Sequence, residues 1–224
     1  MSLLTRFVAC AVVALTLNGG ALSAQLVAGK DYRMLSPPRA TESGNNVEVI
    51  EFFSYGCIHC YNLEPSLDAW LKRKPADVEF KRVPAVFRDS WVPLAKAYYT
   101  IEAMGLFDRL HQQIYAAIHN QNVRLDETKV MFDWVAKQGV DRKKFMDTFN
   151  SFSIQSRAQR AVNMTRSYGI EGTPALVVDG KYQPTPSVAM NPATKTYDEK
   201  RYYQRYFEVL DQLIDLARKN HGGK

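Results

Sequence analysis

The chain has 224 residues, of which 46% are hydrophobic and 23% are charged, and its formal net charge at pH 7 is +6. These values suit a globular protein of one domain, or of one domain with an insertion. The basic residues are spread along the chain without interleaved aromatic residues, so we expect no nucleic acid partner.

Residues 1–24 have the pattern of a secretory signal peptide, with cleavage expected near Ala24. The apolar run within this segment is too short to span a bilayer. Cleavage would remove Cys10 and leave Cys57 and Cys60 in a chain exported to an oxidising compartment. A chain of this size with a single close pair of cysteines does not use disulfides as its scaffold.

A strand and the helix after it are predicted early in the mature chain. β-Branched and aromatic residues predict a strand over Val47–Phe53, after a shorter strand over residues 32–35. Gly56 supplies a turn, and apolar residues then recur at helical spacing, which predicts Cys57 at or beside the helix N-terminus. A strand over residues 78–83 would complete a parallel βαβ unit.

Helical periodicity dominates the middle of the chain. The predicted helices cover residues 91–105, 106–120, 126–138, a short segment after residue 141, and 154–168. We expect Asp126 and Asp141 to cap the third and fourth of these helices.

Strand signals return after this helical region. Residues 173–178 predict a strand, Asp179-Gly180 predicts a hairpin turn, and residues 202–216 predict a final amphipathic helix. The predicted organisation is therefore an α/β domain made of residues 25–88 and 169–224, interrupted by a helical domain at residues 89–168.

Cys57 and Cys60 form the candidate redox site. The first turn of a helix has unpaired N–H groups and the positive end of the helix dipole, and both favour a thiolate at Cys57. His59 lies between the cysteines and can donate a hydrogen bond or supply a positive charge. A stabilised thiolate is a good leaving group, so a disulfide that releases it readily oxidises other thiols. Cys60, inside the helix, would be the resolving partner.

Two alternatives remain for the cysteine pair. One is half of a zinc site, but zinc usually needs four ligands, and His111 and His119 lie far along the chain without a second Cys/His cluster. We therefore expect no metal. The other is a structural disulfide, which stabilises least when the loop that it closes is small.

Glu51 and Pro174 are two further candidates. Glu51 stands among apolar residues of its strand, so burial should raise its pKa by desolvation, and it would relay a proton to or from Cys60. The alternative is a glutamate at the strand end that reaches water. Pro174 begins the later strand, and frequency alone favours a trans peptide bond before it.

Three motifs in order resemble the bacterial periplasmic DsbA family of thiol:disulfide interchange proteins. They are EFFSYGCIHCY at residues 51–61, GTPA at residues 172–175 and DGKY at residues 179–182. The resemblance covers nearly the whole mature chain. It implies a thioredoxin-like α/β fold, with βαβ and ββα halves and an inserted all-helical domain.

The resemblance also implies roles for the residues around the cysteines. Cys57 would be the nucleophilic and leaving sulfur, Cys60 its buried partner, and His59 the stabiliser of the Cys57 thiolate. Glu51 matches the buried acid of the family. Ile58 stands where the best-known members have proline, so the redox potential is expected to differ from theirs.

Thr173 and Pro174 match the cis-proline loop of the family, whose backbone pairs with an extended substrate peptide. Threonine replaces the valine of the best-known members before this proline. We therefore expect Thr173, Pro174 and Ile58 to contact the substrate.

The implied activity is dithiol oxidation in the periplasm of a Gram-negative bacterium. The protein would be a monomer, need no cofactor beyond its redox-active disulfide, oxidise unfolded exported proteins with free thiols, and be reoxidised by a membrane partner of the DsbB type. Rival functions are a disulfide isomerase or reductase with the same site, a glutathione-dependent isomerase, and a non-catalytic periplasmic chaperone or binding protein.

Overall fold

The computed structural model describes residues 25–185 and 198–221. The elements of these residues are, in chain order, β1 (Tyr32–Met34), β2 (Val47–Phe53), α1 (Ile58–Arg73), β3 (Val78–Pro84), a short 3₁₀ helix (Asp89–Trp91), α2 (Val92–Ala103), α3 (Phe107–His119), α4 (Thr128–Lys137), α5 (Arg142–Phe149), α6 (Phe152–Ser167), β4 (Ala175–Val178), β5 (Tyr182–Pro184) and α7 (Glu199–His221). The predicted signal peptide and Cys10 lie outside this part of the chain.

The five strands form one sheet in the order β1-β5-β4-β2-β3. β2 pairs in parallel with β3, with Val47 opposite Val78, so the predicted βαβ unit is confirmed. β4 runs antiparallel to β2, and β5 antiparallel to β4. Helices α2 to α6 lie between β3 and β4 in the chain. The α/β fold with a helical insertion that the resemblance implies is therefore confirmed.

Helices cover both faces of the sheet and create two apolar cores. One core includes Phe52, Phe53, Tyr98 and Tyr115, and forms against the inserted helices. The other core includes Val49, Leu67, Trp70, Phe207 and Leu210, and forms against α1 and α7. All seven residues of β2 are buried, because this strand lies inside the sheet with both faces covered.

The hairpin turn between β4 and β5 has the predicted residues. Asp179 and Gly180 both have positive φ angles, of 53° and 61°. A Cβ atom at Gly180 would overlap the backbone of Arg39, so this position needs glycine for both its conformation and its close contact.

Of the two predicted helix caps, one is wrong and the other is confirmed. Asp126 does not cap α4: the N-cap residue is Glu127, and the carboxylate of Asp126 accepts hydrogen bonds from Arg124 instead. Asp141 does cap α5, because its side chain accepts from the N–H of Lys144 at 2.9 Å. No helix within residues 25–185 and 198–221 is both long enough and apolar enough to cross a membrane.

The last helix is longer than residues 202–216. Its C-terminal turns contact the hairpin, since His221 Nε2 lies 2.9 Å from Asp179 Oδ2 and Asn220 donates to the hydroxyl of Tyr182. These tertiary contacts extend α7 to His221 beyond the amphipathic pattern.

Candidate active site

Cys57 lies at the junction between β2 and α1. The chain leaves the strand at Phe53, and the N–H of Cys57 donates to the carbonyl oxygen of Ser54 at 3.0 Å to close a turn. Cys57 is the N-cap residue of α1, and its own carbonyl oxygen accepts from the N–H groups of Cys60 and Tyr61. The side chain of Cys57 is therefore held at the helix N-terminus, as the sequence predicted.

The environment of Cys57 lowers the pKa of its thiol from 9.0 to about 5. The largest cause is a hydrogen bond from the thiol of Cys60, which favours the Cys57 thiolate. Burial of the sulfur opposes this effect, and the side chain of Thr173 and the backbone N–H groups of Cys60 and His59 add to it. The carbonyl oxygen of Thr173, 3.2 Å from Cys57 Sγ, can accept only from a protonated thiol. The hydrogen bonds that Cys57 Sγ accepts lower its pKa by more than burial and this contact raise it.

Cys60 has the opposite character. Its side chain is fully buried, and burial together with the neighbouring sulfur of Cys57 raises the pKa of its thiol well above the ordinary value. Both cysteines are free thiols in this structure. The reduced pair therefore holds its negative charge on Cys57 and its proton on Cys60.

His59 and Ile58 both lie on the exposed side of the first turn of α1. The described contact between His59 and the Cys57 sulfur is made by the backbone N–H of His59. Ile58 exposes 45% of its surface beside Cys57, which is unusual for a large apolar side chain. The sequence-based roles of these two side chains, in thiolate stabilisation and in substrate contact, stay predictions.

The peptide bond between Thr173 and Pro174 is cis. The trans form favoured by frequency alone is therefore wrong, and the cis form implied by the family resemblance is present. This loop borders a cavity of about 510 Å³, whose wall includes His59, Leu63, Tyr203 and Tyr206. The cavity thus lies beside the cysteine pair, between the cis-proline loop and the helices α1 and α7.

Glu51 is fully buried, so a glutamate that reaches water is excluded. Arg82 Nε donates to Glu51 Oε2 at 3.0 Å. Desolvation nevertheless raises the pKa of Glu51 from 4.5 to about 8, with Arg82 opposing the rise and the nearby carboxylate of Glu64 adding to it. The predicted direction of this pKa change is confirmed, and the proton-relay role stays a prediction.

Sequence reasoning missed the residues that surround Glu51. Arg82 Nη2 lies 3.6 Å from Glu64 Oε2, and His111 Nε2 lies 3.3 Å from the same oxygen. Gln112 also donates to that oxygen, at 2.8 Å. A signal for this cluster does exist: Glu64 follows Leu63 on the buried side of α1, where a charged residue needs a partner.

Across residues 25–185 and 198–221, no group of three or more His, Cys, Asp or Glu side chains is arranged to hold a metal ion.

Comparison with known proteins connects this chain to one family. The model of the DSBA-like thioredoxin domain matches residues 82–198 of the chain. The thiol:disulfide interchange protein DsbA of Bordetella parapertussis is 39% identical over 211 residues, which cover 94% of this chain and 95% of that protein. The protein of the same description from Burkholderia cepacia is 42% identical over 160 residues, covering 71% of this chain and 76% of that protein.

Solved structures agree with these relatives. The crystal structure of Pseudomonas aeruginosa DsbA has a TM-score of 0.76 and 34% identity, and the match covers 87% of this chain and 96% of that one. The oxidoreductase NmDsbA1 of Neisseria meningitidis gives a TM-score of 0.76 at 28% identity, with 89% and 98% of the two chains covered.

Proposed function

Because this chain belongs to the family of DsbA-like thiol:disulfide oxidoreductases, we propose that it is a dithiol oxidase that donates its Cys57–Cys60 disulfide to newly exported proteins. The observation that carries the proposal is the difference between the two sulfurs. The pKa of Cys57 falls to about 5, whereas burial raises that of Cys60. A pair that is stable as thiolate plus thiol gives up its disulfide easily.

The reaction begins when a substrate thiolate attacks Cys57 Sγ of the oxidised protein. The Cys57–Cys60 bond breaks, a mixed disulfide forms at Cys57, and Cys60 leaves with the electron pair and takes up a proton. A second substrate thiolate then attacks the substrate sulfur of the mixed disulfide. Cys57 leaves as its stabilised thiolate, so two electrons have passed from the substrate thiols to the cysteine pair.

Glu51 is the proposed source of the proton for Cys60. A carboxyl group with a pKa of about 8 is mostly protonated at neutral pH, so it can donate when Cys60 is released. The two groups are close enough for the charge of Glu51 to raise the pKa of Cys60. A buried acid that holds its proton until pH 8 therefore suits the step in which Cys60 must be protonated.

The cis-proline loop is the proposed substrate-binding segment. An extended peptide would pair with the backbone at Thr173 and Pro174 and place its cysteine against Cys57, whose sulfur lies 3.2 Å from the carbonyl oxygen of Thr173. Ile58, the residue after Cys57, offers an exposed apolar contact. These contacts fit unfolded substrates, which present extended backbone and apolar side chains.

The cellular location, the oligomeric state and the partners are proposed by analogy with the family. We assign the protein to the periplasm as a monomer, with unfolded exported proteins as substrates and a DsbB-type membrane protein as the oxidant that restores its disulfide. The redox-active disulfide itself would be the only redox group required.

Trapping tests the mechanism. Cys60→Ala should accumulate mixed disulfides between Cys57 and client proteins, which a thiol reductant releases, and Cys57→Ala should accumulate none. A non-catalytic chaperone would bind the same clients in both variants and keep them in reductant. An isomerase would instead act best as the reduced protein on a substrate with scrambled disulfides, and poorly as the oxidised protein on a fully reduced one.

A further inference from the structure

Tyr55, two residues before Cys57, is held at both ends by the helix α3. Its hydroxyl group lies 2.7 Å from Nδ1 of His111, and its carbonyl oxygen lies 2.8 Å from Nε2 of His119. The ring of Tyr115 packs edge-on against the ring of Tyr55, with 4.9 Å between centroids. These three α3 residues are spaced four apart, so they form one stripe along the helix.

The donors and acceptors of these contacts can be assigned. A carbonyl oxygen only accepts, so His119 Nε2 must carry a proton and donate to Tyr55. His111 Nε2 faces the carboxylate of Glu64 at 3.3 Å, which places the proton of this buried imidazole on Nε2. Nδ1 of His111 then accepts from the Tyr55 hydroxyl.

The contact with His119 acts on the peptide group between Tyr55 and Gly56. The carbonyl end of this peptide accepts from His119, and its N–H end donates to Ser54 Oγ at 3.2 Å. β2 ends at Phe53, so no strand pairing holds this peptide. Gly56 has no side chain to restrict rotation, and Tyr55 is buried, so its carbonyl oxygen would lose its partner without His119.

His119 is itself held firmly. Its ring stacks on Tyr61, at 5.5 Å between centroids and an angle of 11° between planes. Tyr61 follows Cys60 in α1, so the imidazole bridges the segment before Cys57 and the helix turn that carries Cys60.

We propose that His119 is a positioning residue for the disulfide exchange: by fixing the Tyr55–Gly56 peptide, it places Cys57 Sγ against the donors that stabilise its thiolate. Those donors are the thiol of Cys60, the side chain of Thr173 and the first N–H groups of α1. Hydrogen bonds weaken steeply as their geometry is lost, so rotation of the preceding peptide would reduce several of these contacts together. This inference rests on the proposed function, in which the Cys57 thiolate is the leaving group.

The test compares the thiolate titration of Cys57 in the reduced protein, followed by ultraviolet absorbance, among four forms of the mature chain, which keeps only Cys57 and Cys60. His119→Phe keeps the stacking on Tyr61 but removes the hydrogen-bond donor, and it should raise the Cys57 pKa by about 0.5. At a given pH, the ratio of thiolate to thiol should then fall roughly threefold. His119→Gln can donate again and should restore the wild-type value. Asn120→Ala, which removes a neighbouring hydrogen bond to Tyr61, is the matched control and should titrate as the wild type does.

The equilibrium with glutathione should shift as well. His119→Phe, with its raised Cys57 pKa, should be converted to the dithiol less readily than the wild type. A folded His119→Phe protein with the wild-type pKa would overturn the positioning role, as would a His119→Gln protein shifted as far as His119→Phe. Should His119→Phe fail to fold, Ser54→Ala frees the other end of the same peptide and must raise the pKa for the inference to stand. A wild-type thiol that titrates near 9 would contradict the proposed function itself, whatever the variants do.

Discussion

Replacing Glu51 by glutamine tests whether the folded protein keeps this buried carboxyl group protonated at neutral pH. The folded protein holds the Glu51 proton up to a pKa of about 8, whereas the ordinary value is 4.5. Between these two values the folded state binds more protons than the unfolded state, so the stability of the wild type falls as the pH rises. Glu51→Gln keeps an oxygen that accepts from Arg82 but has no proton to lose.

The expected size of the effect follows from the same two values. Each pH unit between about 4.5 and 8 should cost the wild type about 1.4 kcal/mol relative to the variant, or about 5 kcal/mol over the whole interval. Near pH 4.5 the two proteins should have similar free energies of unfolding, within about 1 kcal/mol, because a protonated glutamate and a glutamine are alike in shape and hydrogen bonding. Above pH 8 the difference should stay constant.

The assay is urea unfolding of the reduced protein at several pH values from 4.5 to 9. Glu79→Gln is the matched control, since Glu79 lies on the adjacent strand with 42% of its side chain exposed. Its free energy of unfolding relative to the wild type should not rise with pH in this way. A difference between wild type and Glu51→Gln that does not change with pH would refute the raised pKa. A wild type that gains stability over the variant with rising pH would show that Glu51 is ionised and stabilised by Arg82.

Two further predictions concern the nucleophile and the hairpin. His59→Ser should raise the pKa of Cys57, measured by thiolate absorbance against pH, because the turn loses a side chain that can supply positive charge; an unchanged titration would restrict the role of His59 to its backbone N–H. Gly180→Ala should lower the free energy of unfolding by about 3 kcal/mol or more, since it combines a positive φ with overlap of the Arg39 backbone. Gly139→Ala, at a φ of 73° with open space around it, should cost only about 1 kcal/mol, and equal costs at the two positions would show that the overlap has no effect.

The parts of the site that could be predicted from sequence are local in the chain. Strand β2, the turn at Gly56 and the start of α1 follow one another within a few residues, so pattern alone placed Cys57 at the helix N-terminus. The position of Glu51 among apolar strand residues made burial one of two alternatives, and the structure shows that it is buried. The cis bond before Pro174 came from the family resemblance, since a proline at a strand start is usually trans.

The missed parts come from distant segments. Arg82 reaches Glu51 across the β2–β3 pairing, and His111 and His119 come from α3, about fifty residues after Cys57 or more. The local pattern of α3 places His111 on the apolar face with Leu110 and Ile114, but it does not identify the partners of either histidine, because these are fixed only by the packing of the insertion on the strand end. Sequence reasoning considered both histidines only as possible zinc ligands.

The wrong cap at Asp126 has a similar origin. Two acidic residues stand next to each other before α4, and Arg124 lies within ion-pair distance of both, at 2.9 Å from Asp126 Oδ2 and 3.5 Å from Glu127 Oε1. The helix begins after Glu127, whose side chain makes no capping hydrogen bond. Residue preferences alone left this boundary open by one residue.

The equilibrium between the cysteine pair and glutathione tests the central claim most directly, since it measures the free energy of the Cys57–Cys60 disulfide relative to the dithiol. The low pKa of Cys57 predicts that millimolar or lower reduced glutathione converts most of the protein to the dithiol, and that the potential becomes less oxidising when the Cys57 donors are removed. A disulfide that stays closed under those conditions, as in a reductant of the thioredoxin type, would contradict the account.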